Sequence, residues 1–418
     1  MVLFYINFFV FLTVTIFLLS EAYIQNGTDE ILRLPGWESE LSSKQFSGFL
    51  SATKINLLHY WFVESQSQPA SDPLVFWFNG GPGCSSMLGF LKEMGPYRAS
   101  NDGQALIENH DAWNKFSNVI YIESPVYVWY SYASDGETVH MNDDTTADEN
   151  YAAMKSFFLK HPKFRNHSVY IIGESYSGIY VPTLYKRVSD GQKEFPINLK
   201  GLGIANGFVN ADLNANTVYE FFYGHGLVDE GMWNKVKTEC CNGCMSGCNF
   251  TSHPSQVCRD MASNLWPRNK FLNAYDIIRL CDRNVRKDVR SALNIPESLG
   301  TWEICSRSVK LTYKNQYDDV SQFIKEALGE GVRVLMFYGD TDAACNFIHG
   351  QRFAESLGFP TKEAKQGWYY NNQTAGYKTV YEKGLTFITV AGVGHMSAEW
   401  KPAEVAYAIK QFLNDQPI

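Results

Sequence analysis

The sequence lacks an excess of positive charge. Its 418 residues include 36 lysines and arginines against 44 aspartates and glutamates, which gives a formal net charge of −8 at pH 7. Domains that bind nucleic acid usually carry a basic patch or stripe, so this composition argues against a nucleic-acid partner. Internal repeats and low-complexity linkers are also missing. We therefore expect one folding unit, long enough to bury a large core.

Long apolar segments are missing except at the N-terminus. Val2–Leu19 is almost uncharged, and Ser20-Glu-Ala22 after it forms a small-x-small cleavage site. An uncleaved membrane anchor is the alternative, because the run approaches spanning length and the usual positive n-region is missing. The polar residues Asn7, Thr13 and Thr15 favour cleavage. We predict a signal peptide over residues 1–22, a single mature domain over residues 23–418, and no membrane attachment after cleavage.

Four N-glycosylation sequons support a secretory route, and they lie at Asn26, Asn166, Asn249 and Asn372. In an oxidising compartment the nine cysteines are expected to form disulfides, and their odd number leaves one thiol unpaired. A zinc site in the cluster Cys240-Cys241-x-x-Cys244-x-x-x-Cys248 is the alternative, but no histidine at ligand spacing completes it. The sequence thus predicts disulfides, no metal and no cofactor. The predicted location is lysosomal or extracellular.

Apolar strands alternate with helix-like stretches along most of the chain. Phe46–Ala52 and Leu58–Val63 alternate in polarity and predict an antiparallel start. Helix-like stretches such as Asp148–Lys160 separate most of the later strands. These strands are predicted at Pro73–Phe78, Asn118–Ile122, Val169–Ile172, Gly201–Ala205, Val332–Tyr338 and Leu385–Val390. The order predicts an α/β-hydrolase fold, with a mostly parallel central sheet of about eight strands covered on both faces.

This alternation stops between about residues 208 and 322. Seven of the nine cysteines lie in that interval. An insertion of this size cannot bury enough apolar surface to stabilise a core of its own, and disulfides compensate for that. We predict a cap stapled by disulfides.

A serine stands at a sharp turn between a strand and a helix. The apolar strand Val169–Ile172 is followed by Gly173-Glu-Ser-Tyr-Ser-Gly178. The apolar residues after this turn repeat at helical spacing, at Val181, Leu184, Tyr185 and Val188. Strand, turn and helix around a serine form the nucleophile elbow of α/β-hydrolases, with Ser175 at its apex. An ordinary β-turn whose serine caps the next helix is the alternative.

A second glycine-rich loop, Asn79-Gly-Gly-Pro-Gly83, follows the strand at Pro73–Phe78. Its exposed backbone N–H groups could bind a phosphate, but the Lys-Ser/Thr pair of a P-loop is missing. In an α/β-hydrolase this loop provides one oxyanion-hole donor, and the residue after the nucleophile, Tyr176, provides the other.

Acidic residues and a histidine follow the last two predicted strands. Asp340 and Asp342 end one strand, and His395 lies in the loop after the other. A lone aspartate or histidine in such a place is usually structural. Here the residues complete the order Ser…Asp…His of α/β-hydrolases, in which histidine is the base and aspartate orients it. This pattern leaves both aspartates as candidates.

The chain resembles the serine carboxypeptidases from about Leu34 to its C-terminus. The most specific shared motifs are Trp77-Phe-Asn-Gly-Gly-Pro-Gly-Cys-Ser-Ser86, Gly173-Glu-Ser-Tyr-Ser-Gly178, Gly339-Asp-Thr-Asp-Ala-Ala-Cys-Asn346 and Gly394-His-Met396. Softer matches are Glu93-Met-Gly-Pro96, His225-Gly-Leu227 and Trp302-x-x-Cys305-Ser306.

The resemblance implies roles for individual residues. Ser175, Asp342 and His395 would form the catalytic triad, and the backbone N–H groups of Gly81 and Tyr176 would form the oxyanion hole. A site for the C-terminal carboxylate of a peptide is also implied, formed by Asn79, Gly80, Glu93 and Glu174. Cys84 would pair with Cys305, and Cys345 would be the unpaired cysteine. Six cysteines would then remain for three bridges in the cap.

Two segments depart from the family pattern. The family's Pro-Ala-Gly-Val-Gly-Phe-Ser-Tyr run is Pro125-Val-Tyr-Val-Trp-Tyr-Ser-Tyr132 in this chain. Tyr127 and Trp129 thus replace small residues near the expected floor of the active site, and we predict that they narrow the acyl-side pocket. After His395-Met396, the family's Val-Pro is Ser397-Ala398. Neither departure removes a catalytic group.

Three functions are compatible with these observations. The leading one is a secreted or lysosomal serine carboxypeptidase that releases C-terminal amino acids from peptides through an acyl-enzyme, at acidic pH. The second is an acyltransferase on the same scaffold. The third is a catalytically silent carrier or protective protein whose pocket Tyr127 and Trp129 have closed, although the intact triad counts against it. Peptides are the expected partners, and a homodimer is a further prediction.

Overall fold

The computed structural model describes residues 29–100, 105–136, 141–265, 287–300 and 302–418. The predicted signal peptide and the sequon at Asn26 lie outside these residues. Within the described ranges, no helix is both long enough and apolar enough to cross a membrane.

Most of the strands belong to one large sheet. In chain order the strands are β1 (Glu30–Ile31), β2 (Gln45–Ser51), β3 (Asn56–Val63), β4 (Leu74–Phe78), β5 (Tyr97–Ala99), β6 (Leu106–Glu108), β7 (Asn118–Ile122), β8 (Tyr132–Ala133), β9 (Val169–Glu174), β10 (Leu199–Ala205), β11 (Arg333–Gly339), β12 (Thr361–Tyr370), β13 (Gln373–Tyr381) and β14 (Leu385–Val390). The sheet has 12 strands in the order β1-β2-β3-β7-β4-β9-β10-β11-β14-β13-β12, with β8 beside β3. β5 and β6 form a separate pair.

The centre of the sheet is parallel and its two sides are antiparallel. β7, β4, β9, β10, β11 and β14 run in one direction. Strands β4, β7 and β9 are buried along their whole length, as expected for strands covered on both faces. Because these strands are parallel, the loops at their carboxyl ends meet at one edge of the sheet. That edge is where the candidate site lies.

Alternate residues of the central strands face two hydrophobic cores. Phe76 and Ile171 lie in one core, together with Phe157 from a covering helix. Their chain neighbours Trp77 and Ile172 lie in the other core. The period-2 alternation of strand side chains thus joins each strand to both cores.

Helices cover both faces. The α-helices are α1 (Asp143–Lys160), α2 (Ser177–Asp190), α3 (Ala211–Gly224), α4 (Glu230–Glu239), α5 (Gln256–Leu265), α6 (Lys287–Ala292), α7 (Arg307–Thr312), α8 (Ser321–Gly329), α9 (Phe347–Ser356), α10 (Ser397–Trp400) and α11 (Pro402–Leu413). A π-helix spans Gly89–Glu93, and 3₁₀ turns lie at Trp113–Lys115, Pro162–Phe164, Met245–Gly247 and Glu382–Gly384. A capping box at Asn142 and Thr145 fixes the start of α1.

The interval predicted as a cap contributes no strand to the sheet among its described residues. Helices α3 to α7 lie there, and a small separate hydrophobic cluster includes Tyr219, Phe222 and Val236. Two disulfides, Cys240–Cys258 and Cys241–Cys248, belong to this cluster. The boundaries of the cap at about residues 208 and 322 stay a prediction.

All eight predicted strands are present, but the sheet has 12 strands and the prediction was about eight. The additional strands are β1, β8, β12 and β13. β1 and β8 have only two residues each, which is too short for a periodic pattern. β12 is an edge strand whose side chains are mostly exposed and polar, so it lacks the apolar residues on which the prediction depended.

Candidate active site

The turn after β9 presents Ser175 at the carboxyl edge of the sheet. Ser175 has a left-handed φ of 65°, a conformation that costs a residue with a side chain about 1–2 kcal/mol. The adjacent strand holds this turn, since Ser175 N–H donates to the carbonyl of Ala205 at 3.0 Å. The alternative of a helix-capping serine does not apply. Tyr176 is the N-cap of α2, and no side chain caps that helix.

The glycine-rich loop after β4 touches this turn through its backbone. A Cβ on Gly80 would lie 2.3 Å from Tyr176 N and 2.6 Å from the carbonyl oxygen of Glu174, so only glycine allows this approach. The Cys84–Cys305 disulfide, which the resemblance implies, ties the loop to the segment before α7. The close approach brings the main chain of Gly80 and Gly81 beside that of Tyr176. Those are the chain segments from which the oxyanion hole was predicted.

Asp342 and His395 form a buried hydrogen-bonded pair. His395 Nδ1 lies 2.8 Å from Asp342 Oδ2, and both side chains are almost fully excluded from solvent. Asp342 Oδ1 accepts from Ala344 N–H at 2.7 Å. Burial lowers the pKa of His395, but the charge and the hydrogen bond of Asp342 outweigh burial and leave that pKa raised. Asp342 therefore favours the imidazolium that a general base becomes when it takes a proton.

Asp340, the other candidate, has a different role. Its Oδ1 accepts from Gly392 N–H at 2.6 Å, and this bond joins the loop after β11 to the loop after β14. A Cβ on Gly339 would lie 2.2 Å from the carbonyl oxygen of Gly394, so these two loops are in direct backbone contact. Asp340 helps to hold the two loops together, and Asp342 is the aspartate that contacts His395.

Glu93 and Glu174 form a second buried pair beside the first. Their carboxyl groups hydrogen-bond to each other, and Asn79 Nδ2 donates to Glu174 Oε1 at 3.2 Å. Burial raises the pKa of both glutamates, and for Glu174 the charge of Glu93 raises it further. A hydrogen bond between two carboxyl groups requires a proton on one of them. The pair therefore keeps a proton at pH values where exposed glutamates are ionised.

Charge effects link the two pairs. The charge of His395 opposes part of the rise that burial causes in the pKa of Glu93. The charge of Asp342 adds to the rise in the pKa of Glu174. Ser175 follows Glu174 directly in the chain, so the serine, the Asp–His pair and the glutamate pair occupy one region. Every sequence-predicted triad and carboxylate-site residue thus lies at this edge of the sheet.

Sequence reasoning missed two polar side chains behind the site. Asn206, at the carboxyl end of β10, donates from Nδ2 to Asp342 Oδ2 at 2.9 Å. Asp143, at the start of α1, accepts from the hydroxyl group of Tyr176 at 2.9 Å. A signal for Asn206 existed, since it directly follows a predicted central strand. Asp143 follows no strand, and the sequence alone does not indicate its contact.

Tyr127 and Trp129 keep the backbone conformation that glycine favours, with φ of 71° and 50°. The Trp129 ring packs edge-to-face on His59, with ring centroids 4.9 Å apart, and also contacts Trp302 at 6.2 Å. Trp302 Nε1 in turn donates to Ser85 Oγ at 3.3 Å, behind the glycine-rich loop. Trp129 is thus packed among aromatic rings next to the loop, and its effect on the acyl-side pocket stays a prediction.

Two of the cysteines outside the three described disulfides, and three of the four sequons, lie within the described residues. Cys345 is buried and forms no disulfide, and burial raises the pKa of its thiol well above the ordinary value. Cys244 and Cys281 are the cap cysteines left after the two described bridges, and Cys281 lies outside the described residues. The side chains of Asn166, Asn249 and Asn372 are exposed. Among the described residues, no group of three or more His, Cys, Asp or Glu side chains could hold a metal ion.

Comparison with known proteins identifies the family of the chain. The sequence profile of the serine carboxypeptidase family matches residues 35–287 and 284–415. The chain belongs to the serine carboxypeptidase family. Serine carboxypeptidase ctsa-4.1 of Caenorhabditis elegans is 34% identical over 442 residues, covering 93% of this chain and 94% of the relative. The lysosomal protective protein of Mus musculus is 34% identical over 456 residues, with coverage of 93% and 94%.

The fold of this serine carboxypeptidase is shared with a carboxypeptidase of known structure. The crystal structure of Kex1(delta)p, a prohormone-processing carboxypeptidase from Saccharomyces cerevisiae, matches with a TM-score of 0.77. The identity is 20%, and the match covers 89% of this chain and 91% of the yeast chain. The predicted α/β-hydrolase fold is confirmed.

Proposed function

We propose that this protein is a serine carboxypeptidase that releases the C-terminal amino acid of a peptide. The observation that carries the proposal is the buried pair of hydrogen-bonded carboxyl groups, Glu93 and Glu174, next to Ser175. A shared proton lets one carboxyl group donate a hydrogen bond to the α-carboxylate of a peptide. Asn79 and the Gly80 N–H would provide the other donors. A site that binds a free α-carboxylate beside the nucleophile selects the last peptide bond of a chain for cleavage.

The reaction would proceed in two halves. His395 takes the proton of Ser175 Oγ, and the oxygen attacks the carbonyl carbon of the last peptide bond. The N–H groups of Gly81 and Tyr176 stabilise the oxyanion that forms. His395 then gives its proton to the leaving amine, so the C-terminal amino acid departs and an acyl-enzyme remains. Water attacks the ester while His395 takes its proton, and His395 returns that proton to Ser175 Oγ as the bond to the acyl group breaks and the shortened peptide leaves.

We also propose a secretory route for the protein. Three exposed sequons and the cap disulfides support an oxidising, glycosylating compartment. Delivery to the lysosome or to the extracellular space is the proposed end of that route, and one relative is a lysosomal protein by name. The signal peptide over residues 1–22 and the homodimer stay predictions.

The direct test is release of free amino acid from N-blocked dipeptides between pH 4 and 8. Ser175→Ala should lower kcat by about 10⁶, and a fluorophosphonate should label Ser175 alone. Ser117→Ala is the matched control, because Ser117 is a buried serine before β7 whose hydroxyl donates to the Trp113 carbonyl. It precedes a parallel strand, at the end of the sheet opposite the site. Normal turnover by Ser175→Ala would refute the proposal. Acyl transfer to added alcohols in preference to water would point to the acyltransferase.

A further inference from the structure

A closed ring of buried polar contacts lies behind the Asp342–His395 pair. Asn206 Nδ2 donates to Asp342 Oδ2 at 2.9 Å, and Ser397 Oγ donates to Asn206 Oδ1 at 2.8 Å. Ser397 is only two residues after His395 in the chain. The three hydrogen bonds and this short chain segment therefore join all four side chains into one ring. All four are buried.

The orientation of the Asn206 amide follows from its donors. Gly339 N–H points at the amide oxygen, at 3.3 Å. Because a backbone N–H can only donate, the atom facing it must be Oδ1, and this leaves Nδ2 for Asp342. The Ser397 hydroxyl has one proton and two acceptors within reach. The bond to Asn206 is 2.8 Å and the contact with the Gly394 carbonyl is 3.3 Å, so Asn206 is the better acceptor.

We propose that Ser397 is a positioning residue that orients the Asp342–His395 pair through the side-chain amide of Asn206. Ser397 touches no reacting atom. Without this hydroxyl group, the oxygen of the Asn206 amide would accept only the long bond from Gly339, and the donation from its nitrogen to Asp342 would weaken. Two consequences follow: His395 is less well oriented as a base, and Asp342 becomes a less stabilised anion that binds the imidazolium more strongly.

Other groups act on this pair and must be kept constant in any test of pH dependence. Asp342 and Glu93 act on His395. The charge of Asp342 contributes to the pKa shifts of four groups, Glu174, Tyr338, Cys345 and His349. None of them bonds to Ser397 among the described contacts, so a Ser397 substitution leaves them in place.

The inference rests on the proposed function only in taking His395 as the base for Ser175. The test therefore measures the second-order rate at which a fluorophosphonate labels Ser175, along with kcat and KM on N-blocked dipeptides. The labelling rate depends on the base and needs no carboxylate recognition. Failure of the peptidase assay alone would count against the proposed function, and failure of the labelling effect would count against Ser397.

For Ser397→Ala we expect labelling and kcat to fall about 3- to 10-fold, the effect of losing one neutral hydrogen bond. KM should stay within about twofold, because Asn79, Glu93 and Glu174 are untouched. The acidic limb of the kcat profile should move to higher pH. Ser117→Ala should change none of these quantities.

A double-mutant cycle separates positioning from general loss of structure. If Ser397 acts through Asn206, the double variant Ser397→Ala/Asn206→Ala should be no slower than Asn206→Ala alone. Additive losses, or a Ser397→Ala profile identical to wild type, would overturn the inference. If Ser397→Ala does not fold, Ser397→Thr and Ser397→Val take its place, because they differ mainly in the hydroxyl group. Equal labelling rates for these two would also overturn it.

Discussion

Replacing Glu93 and Glu174 by glutamine should remove most of the pH dependence of substrate binding. In the wild type, the pair keeps a proton because burial raises the pKa of both groups. That proton lets one carboxyl donate to the carboxylate of the peptide. As pH rises through the raised pKa the proton is lost, and a second like charge faces the substrate. KM for peptides with a free C-terminus should therefore climb on the alkaline side.

The size of the rise can be estimated from the setting of the pair. Two unit charges about 4 Å apart at an effective dielectric constant of about 20 repel by about 4 kcal/mol. A lost charge-assisted hydrogen bond costs about 1.5–3 kcal/mol. A loss of between about 1.5 and about 4 kcal/mol corresponds to a total rise in KM of between about tenfold and about 1000-fold, at up to about tenfold per pH unit above the pKa of the pair. Glutamine donates a hydrogen bond but does not ionise, so the double variant should show a nearly flat KM.

The assay is KM against pH for each single variant and for the double variant. Peptide amides are the matched control substrates, because they lack the terminal charge and should show little rise even with the wild type. His395 acts in the opposite direction. It must be neutral to accept a proton, so kcat should fall as pH drops through its raised pKa. A KM profile of the double variant identical to that of the wild type would refute the carboxylate site.

Two further predictions concern residues outside the triad. Burial raises the pKa of Glu149 from 4.5 to about 7. Its contribution to the free energy of unfolding is therefore greatest at acidic pH and is lost as pH rises from about 4.5 to about 7. The change amounts to about 3 kcal/mol. Glu149→Gln should therefore match the wild type in melting temperature at pH 5 and exceed it at pH 8. If the difference in melting temperature between the two proteins were the same at both pH values, the raised pKa of Glu149 would be contradicted. Trp129→Gly should raise kcat/KM about tenfold for dipeptides with bulky penultimate residues and less for small ones. An equal change for both classes would mean that Trp129 serves only to pack against His59 and Trp302.

Much of the fold could be predicted from the sequence because its signals are local. The central strands are short apolar runs, most of which end in turns that contain glycine, and parallel strands buried on both faces require such runs. The turn that carries Ser175 could be predicted for the same reason, because its motif lies within a few consecutive residues. By contrast, the hairpin of β12 and β13 was missed, although Asn371 and Asn372 take the positive φ of a two-residue turn, 49° and 60°. Asparagine tolerates the positive φ that such a turn requires at both positions, but the polar edge strand before it has no apolar pattern that would predict a strand.

The sequence by itself determined the family and the order Ser…Asp…His, and it predicted the residues of the carboxylate site. The strand-end pattern left Asp340 and Asp342 open and the family resemblance favoured Asp342, but only the tertiary structure showed the contact of Asp342 with His395. Asp340 and Asp342 lie in the same loop, and the choice depends on backbone contact with a loop more than fifty residues further along the chain. The ring through Asn206 and Ser397 was invisible for the same reason, because it joins three strand ends that are adjacent only in the sheet. Residues far apart in the chain meet through packing, and no short-range pattern records that contact.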